Sequence, residues 1–305
     1  SRMVSCGECG EVPSCPRCSV HLTYHSANGR LMCHYCGHSE PLPTCCPSCG
    51  GELHFIGAGT QKVQQELEAL FPGIQVLRMD ADTVGASQSH EGLLSKFTEE
   101  RVPVLVGTQM VTKGLDFSNV TLVGVIAADL SLYVDSFRAS ERTFSLLTQV
   151  VGRAGRGERA GRAVIQTYTP DNEIIRYAAA QDYGSFYEQE IDLRRLMDYP
   201  PFRDFIVFTA SGMDEGAVLR ACQRLRWSLE RWSSDLWGTS PERPRLMGPA
   251  PAAVAKVNNR YRYHLTMLCK NTKQVRGYLS FLLCAAAEDK NNRGVSVFAD
   301  INPYD

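Results

Sequence analysis

Four Cys-x-x-Cys pairs near the amino terminus constrain the fold of this chain more than any other feature of its sequence. A glycine directly follows three of the pairs, which permits the tight turn of a zinc knuckle. Eight thiolates are enough for two tetrahedral four-sulfur zinc sites, each closed and therefore structural. The first residues show no signal-peptide core, which favours the cytosol, where such clustering indicates metal rather than disulfides. The pairs are Cys6/Cys9, Cys15/Cys18, Cys33/Cys36 and Cys46/Cys49.

An Asn-Gly dipeptide predicts which pairs share a metal. Asn28-Gly29 lies between two short stretches that favour strands, and this dipeptide is the strongest short signal for a hairpin. A hairpin with a knuckle at each foot is a zinc ribbon, so the two flanking pairs share one ion and the remaining pairs share the second. The flanking set, here called the inner cluster, is Cys15, Cys18, Cys33 and Cys36; the outer cluster is Cys6, Cys9, Cys46 and Cys49. The bystanders are expected to be Cys45, His21, His25, His34 and His38.

Composition predicts an ordinary globular chain. With 305 residues, 44% hydrophobic and 21% charged, it is long enough for two or three domains with real cores. The formal net charge of −1 does not indicate a general nucleic-acid binder, so any DNA contact must come from local basic patches. The sequence contains no run of about 18 apolar residues, and we therefore expect no membrane association.

Alternating strand and helix patterns follow the cysteine region. Apolar runs predict strands at 74–79, 102–106, 121–128 and 163–168, with helices at 91–99 and 139–151 between them. This alternation predicts a mostly parallel, three-layer α/β sheet with functional loops at the carboxyl ends of the strands. An earlier helix, opened by Gly57-Ala58-Gly59-Thr60, carries Val63, Leu67 and Leu70 on one face.

Two arginines just past the 139–151 helix are the main candidates for a phosphate site. Arg153 and Arg156 follow the last apolar turn and have Gly152 and Gly155 beside them. Guanidinium groups suit phosphate oxygens, and glycines allow close backbone approach. The alternative is that both arginines only complement the helix carboxyl terminus, which is worth up to about 1 kcal/mol. The pair with flanking glycines favours the phosphate interpretation.

The stretch around these arginines resembles a known family. The run 107–117 is similar to motif V of superfamily 2 helicases, and 149–156 is similar to motif VI. The residues between them (Ala128-Asp129, then 135–142) resemble the PriA family of bacterial primosomal replication-restart helicases. The resemblance implies a RecA-like second helicase lobe, preceded by a two-zinc ribbon module and followed by a small α+β domain. We expect these domains at 1–51, 52–197 and 198–305.

The resemblance also implies roles for individual residues. Arg153 and Arg156 match the motif VI arginines that reach the γ-phosphate of ATP, and Gln149 matches the glutamine that opens this motif. In motif V, the nucleotide-coupling residues are Gly114 and Asp116, and the expected DNA contacts are Thr108, Gln109 and Lys113. Leu115 stands where family members often carry histidine.

A phosphate-cradling loop is missing from the sequence. Such a loop needs Gly-x-x-x-x-Gly-Lys-Ser/Thr, and the nearest candidate, 107–113, has Thr112 where the second glycine belongs. The chain also lacks an Asp-Glu-x-His type box for magnesium. We therefore expect the carboxy-terminal part of a longer protein that binds ATP and Mg²⁺, and we expect this part alone to be inactive as an ATPase.

The last hundred residues predict a separate α+β domain. After the helix-breaking segment 199–202 come a strand (205–210), a helix with an apolar stripe from Val218 to Trp232, a Pro-rich loop, a half-buried strand, a helix (272–287) and a strand (295–301). Basic residues interleaved with Tyr261 and Tyr263 suit phosphate contact and base stacking. The candidate DNA contacts are Lys256, Arg260 and Arg262.

The first hypothesis is therefore part of an ATP-dependent 3′-to-5′ DNA helicase that restarts replication at stalled or branched forks. Its expected partners are forked and single-stranded DNA, primosome and helicase-loading proteins, and single-stranded-DNA-binding protein, in the bacterial cytoplasm near the nucleoid. A non-enzymatic zinc-ribbon scaffold is the rival from another class, but motif VI arginines have no role in a scaffold. A different helicase-like translocase is disfavoured by the cysteines that precede the lobe.

Overall fold

The chain forms two compact units. The structure, a computed structural model, describes residues 3–25, 28–56, 59–80, 83, 89–108, 111, 119–134, 136–154 and 160–303. The first unit, here the lobe unit, comprises Ser1–Pro13, Thr23–Met32 and Ser39–Glu188. The second, here the C-terminal unit, comprises Ser14–Leu22, Cys33–His38 and Gln189–Asp305. The cysteine-rich segment is thus divided between the two units.

Short antiparallel strands open the lobe unit. Strand β1 (Met3–Cys6) pairs with β5 (Leu53–Ile56), and β2 (Thr23–His25), β3 (Arg30–Met32) and β4 (Ser39–Pro41) form a three-stranded sheet. The predicted β2–β3 hairpin is confirmed, with the Arg30 N–H donating to the Asn28 side-chain oxygen at 3.1 Å. The third strand, β4, was missed by the sequence analysis because three residues with a proline carry no strand signal.

Parallel pairing, as predicted, characterises the rest of the lobe unit. Strand β6 (Val76–Met79) pairs with β7 (Val104–Gly107), and β8 (Leu122–Val125) pairs with β9 (Arg162–Ile165). The described residues place these four strands in two separate two-stranded sheets. The helices are α1 (Thr60–Leu70), α2 (His90–Glu99), α3 (Ala139–Val151), α4 (Glu173–Ala180) and α5 (Tyr183–Met197), which continues into the C-terminal unit.

Small cores hold these helices against the strands. Met79, Leu93 and Leu94 are buried between β6 and α2. A second core packs α3 and α4 together and includes the stacked rings of Phe144 and Phe186, whose centroids are 4.1 Å apart. Helix α3 has the predicted bounds, and on its inner face Phe144 and Leu147 are buried while Val151 is half-buried.

Helix α1 departs from the sequence expectation. Its predicted apolar face is not buried: Val63 and Leu67 are half-buried, and Leu70 is 71% exposed. Among the elements that the structure describes, the helix packs mainly on β6 and β7, which form a narrow two-stranded pair. Two short strands do not offer enough surface to cover three turns of apolar side chains, which explains the exposure.

One continuous antiparallel sheet forms the centre of the C-terminal unit. Its strand order is β11 (Arg245–Val257), β12 (Arg260–Cys269), β10 (Asp204–Gly212), β13 (Val295–Ile301). Helices α6 (Glu215–Trp237) and α7 (Lys273–Glu288) pack on it over a core that includes Phe208, Leu229 and Met267, each fully buried. The predicted stripe on α6 and the final strand are confirmed.

The prediction of a Pro-rich loop after α6 is wrong from residue 245 onward, because strand β11 begins there. Pro249 and Pro251 lie within it, and the pairing with β12 shifts register at two places along this strand. Proline cannot donate to a ladder and is tolerated only on edge strands or at bulges. Strand β11 satisfies both conditions, since it lies at the edge of the sheet and is irregular.

Among the helices that the structure describes, none combines the length and the apolar character required to cross a membrane.

Candidate functional site

The outer cluster forms in the lobe unit as predicted. The backbone of β1 and the turn before β5 bring the two knuckles together, with Cys6 Sγ 3.4 Å from Cys49 Sγ and Cys9 Sγ 3.7 Å from Cys46 Sγ. Backbone N–H groups from within the knuckles donate to sulfur, Glu8 to Cys6 and Gly51 to Cys49, both at 3.4 Å. All the hydrogen-bond donors to these thiolates that the structure gives are therefore local.

The inner cluster forms in the C-terminal unit. Cys15 Sγ lies 3.7 Å from Cys36 Sγ, and the Cys33 N–H donates to the His38 carbonyl at 2.8 Å to close the second knuckle. Three of the four ligand residues are buried and Cys36 is half-buried. The ring of His21 is hydrogen-bonded to the Ser14 hydroxyl at 3.1 Å. Histidine is absent from both clusters among the described residues, so each donor set is four sulfurs.

The geometry of both clusters fits zinc. In each cluster the four Sγ atoms lie within 4.8 Å of one another. A zinc ion about 2.3 Å from each of four sulfurs places neighbouring sulfurs about 3.8 Å apart in a tetrahedron, close to the separations above. Four thiolates suit a soft or borderline cation and leave no open position for a substrate. These are two structural zinc sites, with the nested ligation expected from the sequence.

Cys45, Cys222 and Cys269 lie outside both clusters and differ in burial. Burial raises the pKa of Cys222 to about 11 and that of Cys269 to about 12, so both remain neutral thiols in the C-terminal core. Cys45, next to ligand Cys46, is exposed. It belongs to neither cluster.

Helix α3 positions the described part of motif VI. Gln149 is exposed near the end of the helix, and Arg153 follows Gly152 with its backbone N–H donating to the Val150 carbonyl at 3.0 Å. A Cβ on Gly152 would lie 3.2 Å from the Thr148 carbonyl oxygen and 3.3 Å from the Gln181 side chain, so a glycine suits this close packing. Arg156, the second predicted phosphate-binding residue, lies outside the described residues.

The end of β7 carries the start of motif V. Gly107 has no room for a side chain, because a Cβ there would lie 2.6 Å from the Met79 carbonyl oxygen and still closer to Val111. Thr108, which follows, is exposed and its N–H donates to the same carbonyl at 3.4 Å. The predicted residues of the loop beyond it lie outside the described residues: Gln109, Lys113, Gly114, Leu115 and Asp116.

A buried carboxylate that the sequence placed in the family resemblance, without a role of its own, joins the ends of β8 and β9. Asp129 is 3% exposed and accepts hydrogen bonds from the Thr167 hydroxyl (2.6 Å), the Thr169 hydroxyl (2.5 Å) and the Tyr168 N–H (2.9 Å). Hydrogen bonds from these donors hold the pKa of Asp129 well below its usual range, and the bond from the Thr167 hydroxyl has the largest effect. An aspartate after an apolar strand was the only signal, and its partners lie about 40 residues away.

A second buried carboxylate fixes the end of β6. Asp80 accepts hydrogen bonds from the Thr60 hydroxyl and the Thr83 N–H, and its carboxylate is paired with Arg78 Nε at 3.0 Å. The backbone N–H of Asp80 also donates to the Thr83 hydroxyl at 2.9 Å. The Thr83 N–H also donates to the Asp80 carbonyl at 3.1 Å. The hydrogen bond from the Thr60 hydroxyl to Asp80 connects the first turn of α1 to the end of β6.

The three candidate DNA contacts of the C-terminal unit differ in their surroundings. The Lys256 ammonium lies 5.1 Å from the ring centroid of Tyr261, and both residues are half-buried. Arg260 instead reaches across the sheet to the Ser211 carbonyl at 2.9 Å and the Ser296 hydroxyl at 3.1 Å. Arg262 is half-buried on β12. Tyr263 is half-buried, and its hydroxyl donates to Glu215 at 2.9 Å.

Comparison with protein families gives three matches along the chain. Residues 15–41 match the PriA DNA helicase Cys-rich region domain, 51–158 match the helicase conserved C-terminal domain, and 195–304 match the primosomal protein N C-terminal domain. The three matches follow the order of the zinc clusters, the lobe and the final sheet.

Curated relatives are similar over most or all of the chain. Replication restart protein PriA of Bacillus subtilis is 40% identical over 305 residues, which are all of this chain and 37% of that protein. The protein of the same name from Synechocystis is 42% identical over 87% of this chain and 32% of its own length. That of Chlamydia pneumoniae is 37% identical over 98% of this chain and 39% of its own length. The chain spans less than two fifths of the length of these relatives. It belongs to the PriA family of replication restart proteins.

Proposed function

We propose that this chain is the carboxy-terminal part of an ATP-dependent 3′-to-5′ DNA helicase that binds stalled or branched forks and restarts replication. The observation that carries the proposal is the end of α3, where exposed Gln149 lies on the last turn and half-buried Arg153 follows two residues after the helix, in the spacing of motif VI. Two structural zinc clusters and the three family matches in order support the same conclusion.

In this proposal the lobe unit supplies arginines to a nucleotide that another lobe holds. ATP and Mg²⁺ bind where a phosphate-cradling loop is present, and Arg153 and Arg156 stabilise the charge that spreads over the transferring phosphoryl oxygens. Such an arginine is worth roughly 10³ to 10⁵ in rate. Gly114 and Asp116 couple the nucleotide to DNA, which Thr108, Gln109 and Lys113 contact. Gln149 orients the arginines and the nucleotide.

The C-terminal unit is proposed to contact DNA through the end of the β11–β12 hairpin. Lys256 beside Tyr261 offers a phosphate contact and a stacking face, as single-stranded DNA requires. Arg262 adds charge on the same strand. Arg260, already hydrogen-bonded across the sheet, positions the hairpin. The proposed protein partners are primosome and helicase-loading proteins and single-stranded-DNA-binding protein, at the bacterial nucleoid.

Phosphate release with saturating forked DNA tests the motor assignment. In the full-length protein, Arg153→Ala or Arg156→Ala should reduce turnover by at least about 10³-fold, because the γ-phosphoryl charge loses its arginine. Arg162→Ala, an exposed arginine at the start of β9, is the matched control and should leave turnover unchanged. DNA binding and zinc content should persist in all three variants.

The 305-residue chain by itself should show no DNA-stimulated ATP hydrolysis. Turnover by this chain alone, or full activity in both motif VI variants, would remove these residues from the site. If the full-length protein binds forks but shows no DNA-stimulated phosphate release, the scaffold hypothesis replaces the motor.

Fluorescence anisotropy tests the DNA contact separately. Lys256→Ala with Arg262→Ala should weaken binding to forked DNA and flatten its salt dependence, because fewer counterions are released. Lys273→Ala with Lys290→Ala also removes two positive charges, from exposed positions on α7 and in the segment after it, and serves as the control. Equal affinity in the two double variants would exclude the hairpin as the contact.

A further inference from the structure

One knuckle of the inner cluster is hydrogen-bonded to a turn more than 230 residues further along the chain. The Asn258 N–H donates to Cys18 Sγ at 3.2 Å, and the Asn259 N–H donates to the Arg17 carbonyl at 2.8 Å. The Ser19 N–H donates to the Lys256 carbonyl at 2.8 Å, and the Lys256 N–H donates to the Ser19 hydroxyl at 2.8 Å. Both partners lie in the C-terminal unit.

The turn has the shape needed for this contact. Asn258 and Asn259 connect β11 and β12, whose last pair is Val257 with Arg260, and they have φ values of 47° and 63°. Positive φ at both residues of a two-residue loop is the type I′ geometry, which asparagine tolerates better than most residues. In a hairpin turn of this kind the N–H groups of the two loop residues usually bind water. Here the N–H groups of Asn258 and Asn259 both donate to the same knuckle.

We propose that the Asn258–Asn259 turn stabilises the inner metal site through the hydrogen bond that the Asn258 N–H donates to the Cys18 thiolate. Four thiolates around one divalent cation leave net negative charge, and an N–H donor offsets part of it. Groups that hydrogen-bond to metal ligands fix the ligand orientation, and their loss typically costs 10–100-fold in metal affinity. Cys18 is 4% exposed, so water does not replace a lost donor easily.

The outer cluster supplies an internal comparison. Its thiolates receive backbone N–H groups from the knuckles themselves, including Glu8 and Gly51, and each of these donors lies within three residues of the cysteine it contacts. A change at residue 258 should therefore affect one metal site and spare the other. The inference stands on these contacts, and it does not depend on whether the hairpin binds DNA.

Chelator challenge with pulsed thiol alkylation tests the proposal on the zinc-loaded chain. Peptide mass spectrometry then reports Cys33 and Cys36 separately from Cys46 and Cys49. Asn258→Val should reshape the turn, because a β-branched residue disfavours positive φ. We expect the inner cysteines to become alkylated on the order of 10- to 100-fold faster, and the outer cysteines at the unchanged rate. Asn258→Gly keeps both the φ and the N–H, and should behave like the unmodified chain.

Equal rates in Asn258→Val and the unmodified chain would overturn the proposal. The same holds if both clusters are alkylated faster by the same factor, because this would show general loosening. If Asn258→Val does not fold, Ser19→Ala removes the hydroxyl that accepts from Lys256, and Ser14→Ala is its control in the same knuckle. Faster inner alkylation in Ser19→Ala alone supports the proposal, and equal rates in the two serine variants overturn it.

Hydrogen exchange gives a reciprocal readout. Removing zinc with chelator should increase exchange at 256–259 more than in strand β13, which lies at the opposite edge of the same sheet. Increases of equal size in the two segments would contradict a specific link between the metal and the turn.

Discussion

The two cysteine clusters have the same ligands and different neighbours. Each brings four sulfurs within 4.8 Å of one another, and each uses two Cys-x-x-Cys knuckles. The outer cluster belongs to the lobe unit and is closed by the short β1–β5 pair. The inner cluster belongs to the C-terminal unit, and its first knuckle is bonded to the turn between β11 and β12.

This difference shows that ligand spacing alone does not define what a zinc site stabilises. Sequence spacing predicts the ligands and the metal, because knuckle geometry is local. The structure that a bound metal supports also depends on which segments donate to the thiolates. For the outer cluster those donors are local, whereas for the inner cluster they include Asn258, which lies in the part of the chain that matches the primosomal protein N C-terminal domain.

The largest expected effect comes from removing one ligand of each cluster. Cys33→Ser and Cys49→Ser should each lower the zinc content from two ions to one per chain. Structural zinc contributes about 10–16 kcal/mol of apparent binding free energy in small domains, so the segment around each lost ion should unfold. Elemental analysis measures the zinc, and hydrogen exchange locates the unfolding. Only Cys33→Ser should expose the amides at 256–259.

Loss of both ions in either variant would contradict separate clusters. Protection at 256–259 that is equal in Cys33→Ser and Cys49→Ser would show that the contact with the turn does not depend on the inner metal.

A smaller effect is expected from the arginine that braces the hairpin. Arg260→Ala removes hydrogen bonds to the Ser211 carbonyl and the Ser296 hydroxyl, and hydrogen bonds to a charged group are worth about 1.5–3 kcal/mol. The free energy of unfolding of the C-terminal unit should fall by that order, measured by tryptophan fluorescence in urea, since all three tryptophans lie on α6. Inner-cluster alkylation should accelerate modestly and outer-cluster alkylation should not.

Arg262→Ala is the matched control for this change, because it removes the same charge from the same strand. A loss of stability as large as that of Arg260→Ala would show that charge, rather than the cross-sheet contacts, accounts for the effect.

The next effect concerns the lobe unit and its pH dependence. Asp129 has a pKa below its usual range in the folded chain, so its stabilisation is present above the unfolded pKa of about 3.9 and is lost as pH falls. Asp129→Asn should therefore speed hydrogen exchange at 166–170 most at neutral pH, and the difference from the unmodified chain should narrow below about pH 4. Asp171→Asn, on the same segment, is the control. A constant difference at all pH values would show that the charge of Asp129 is not responsible.

Much of this architecture could be predicted because its signals are short in sequence. The four knuckles, the hairpin at Asn28-Gly29, helix α3 and the stripe on α6 each depend on spacings of two to four residues. The same locality explains the failures. An edge strand with two prolines looks like a loop, and an apolar stripe on α1 looks buried although the described part of its neighbouring sheet has two strands.

The parts of the site that depend on long-range partners could not be predicted. The sequence around Asp129 does not indicate the threonines that bind it, because they lie about 40 residues away. The sequence around Asn258 likewise does not indicate its contact with Cys18, which lies about 240 residues away. The roles of Gly114, Asp116 and Arg156 stay predictions, because these residues lie outside the described part of the chain.

The smallest expected effect tests whether the outer cluster chooses between adjacent cysteines. Cys45 and Cys46 are neighbours, but only Cys46 is buried and lies 3.7 Å from Cys9 Sγ, whereas Cys45 is exposed. Cys45→Ser should therefore leave the zinc content at two ions and both alkylation rates unchanged, while Cys46→Ser should lose the outer ion. Elemental analysis of the two variants decides the matter. Loss of zinc in Cys45→Ser would show that Cys45 also binds the outer ion, contrary to the knuckle spacing. The comparison between the two clusters would then have to include Cys45 among the outer ligands.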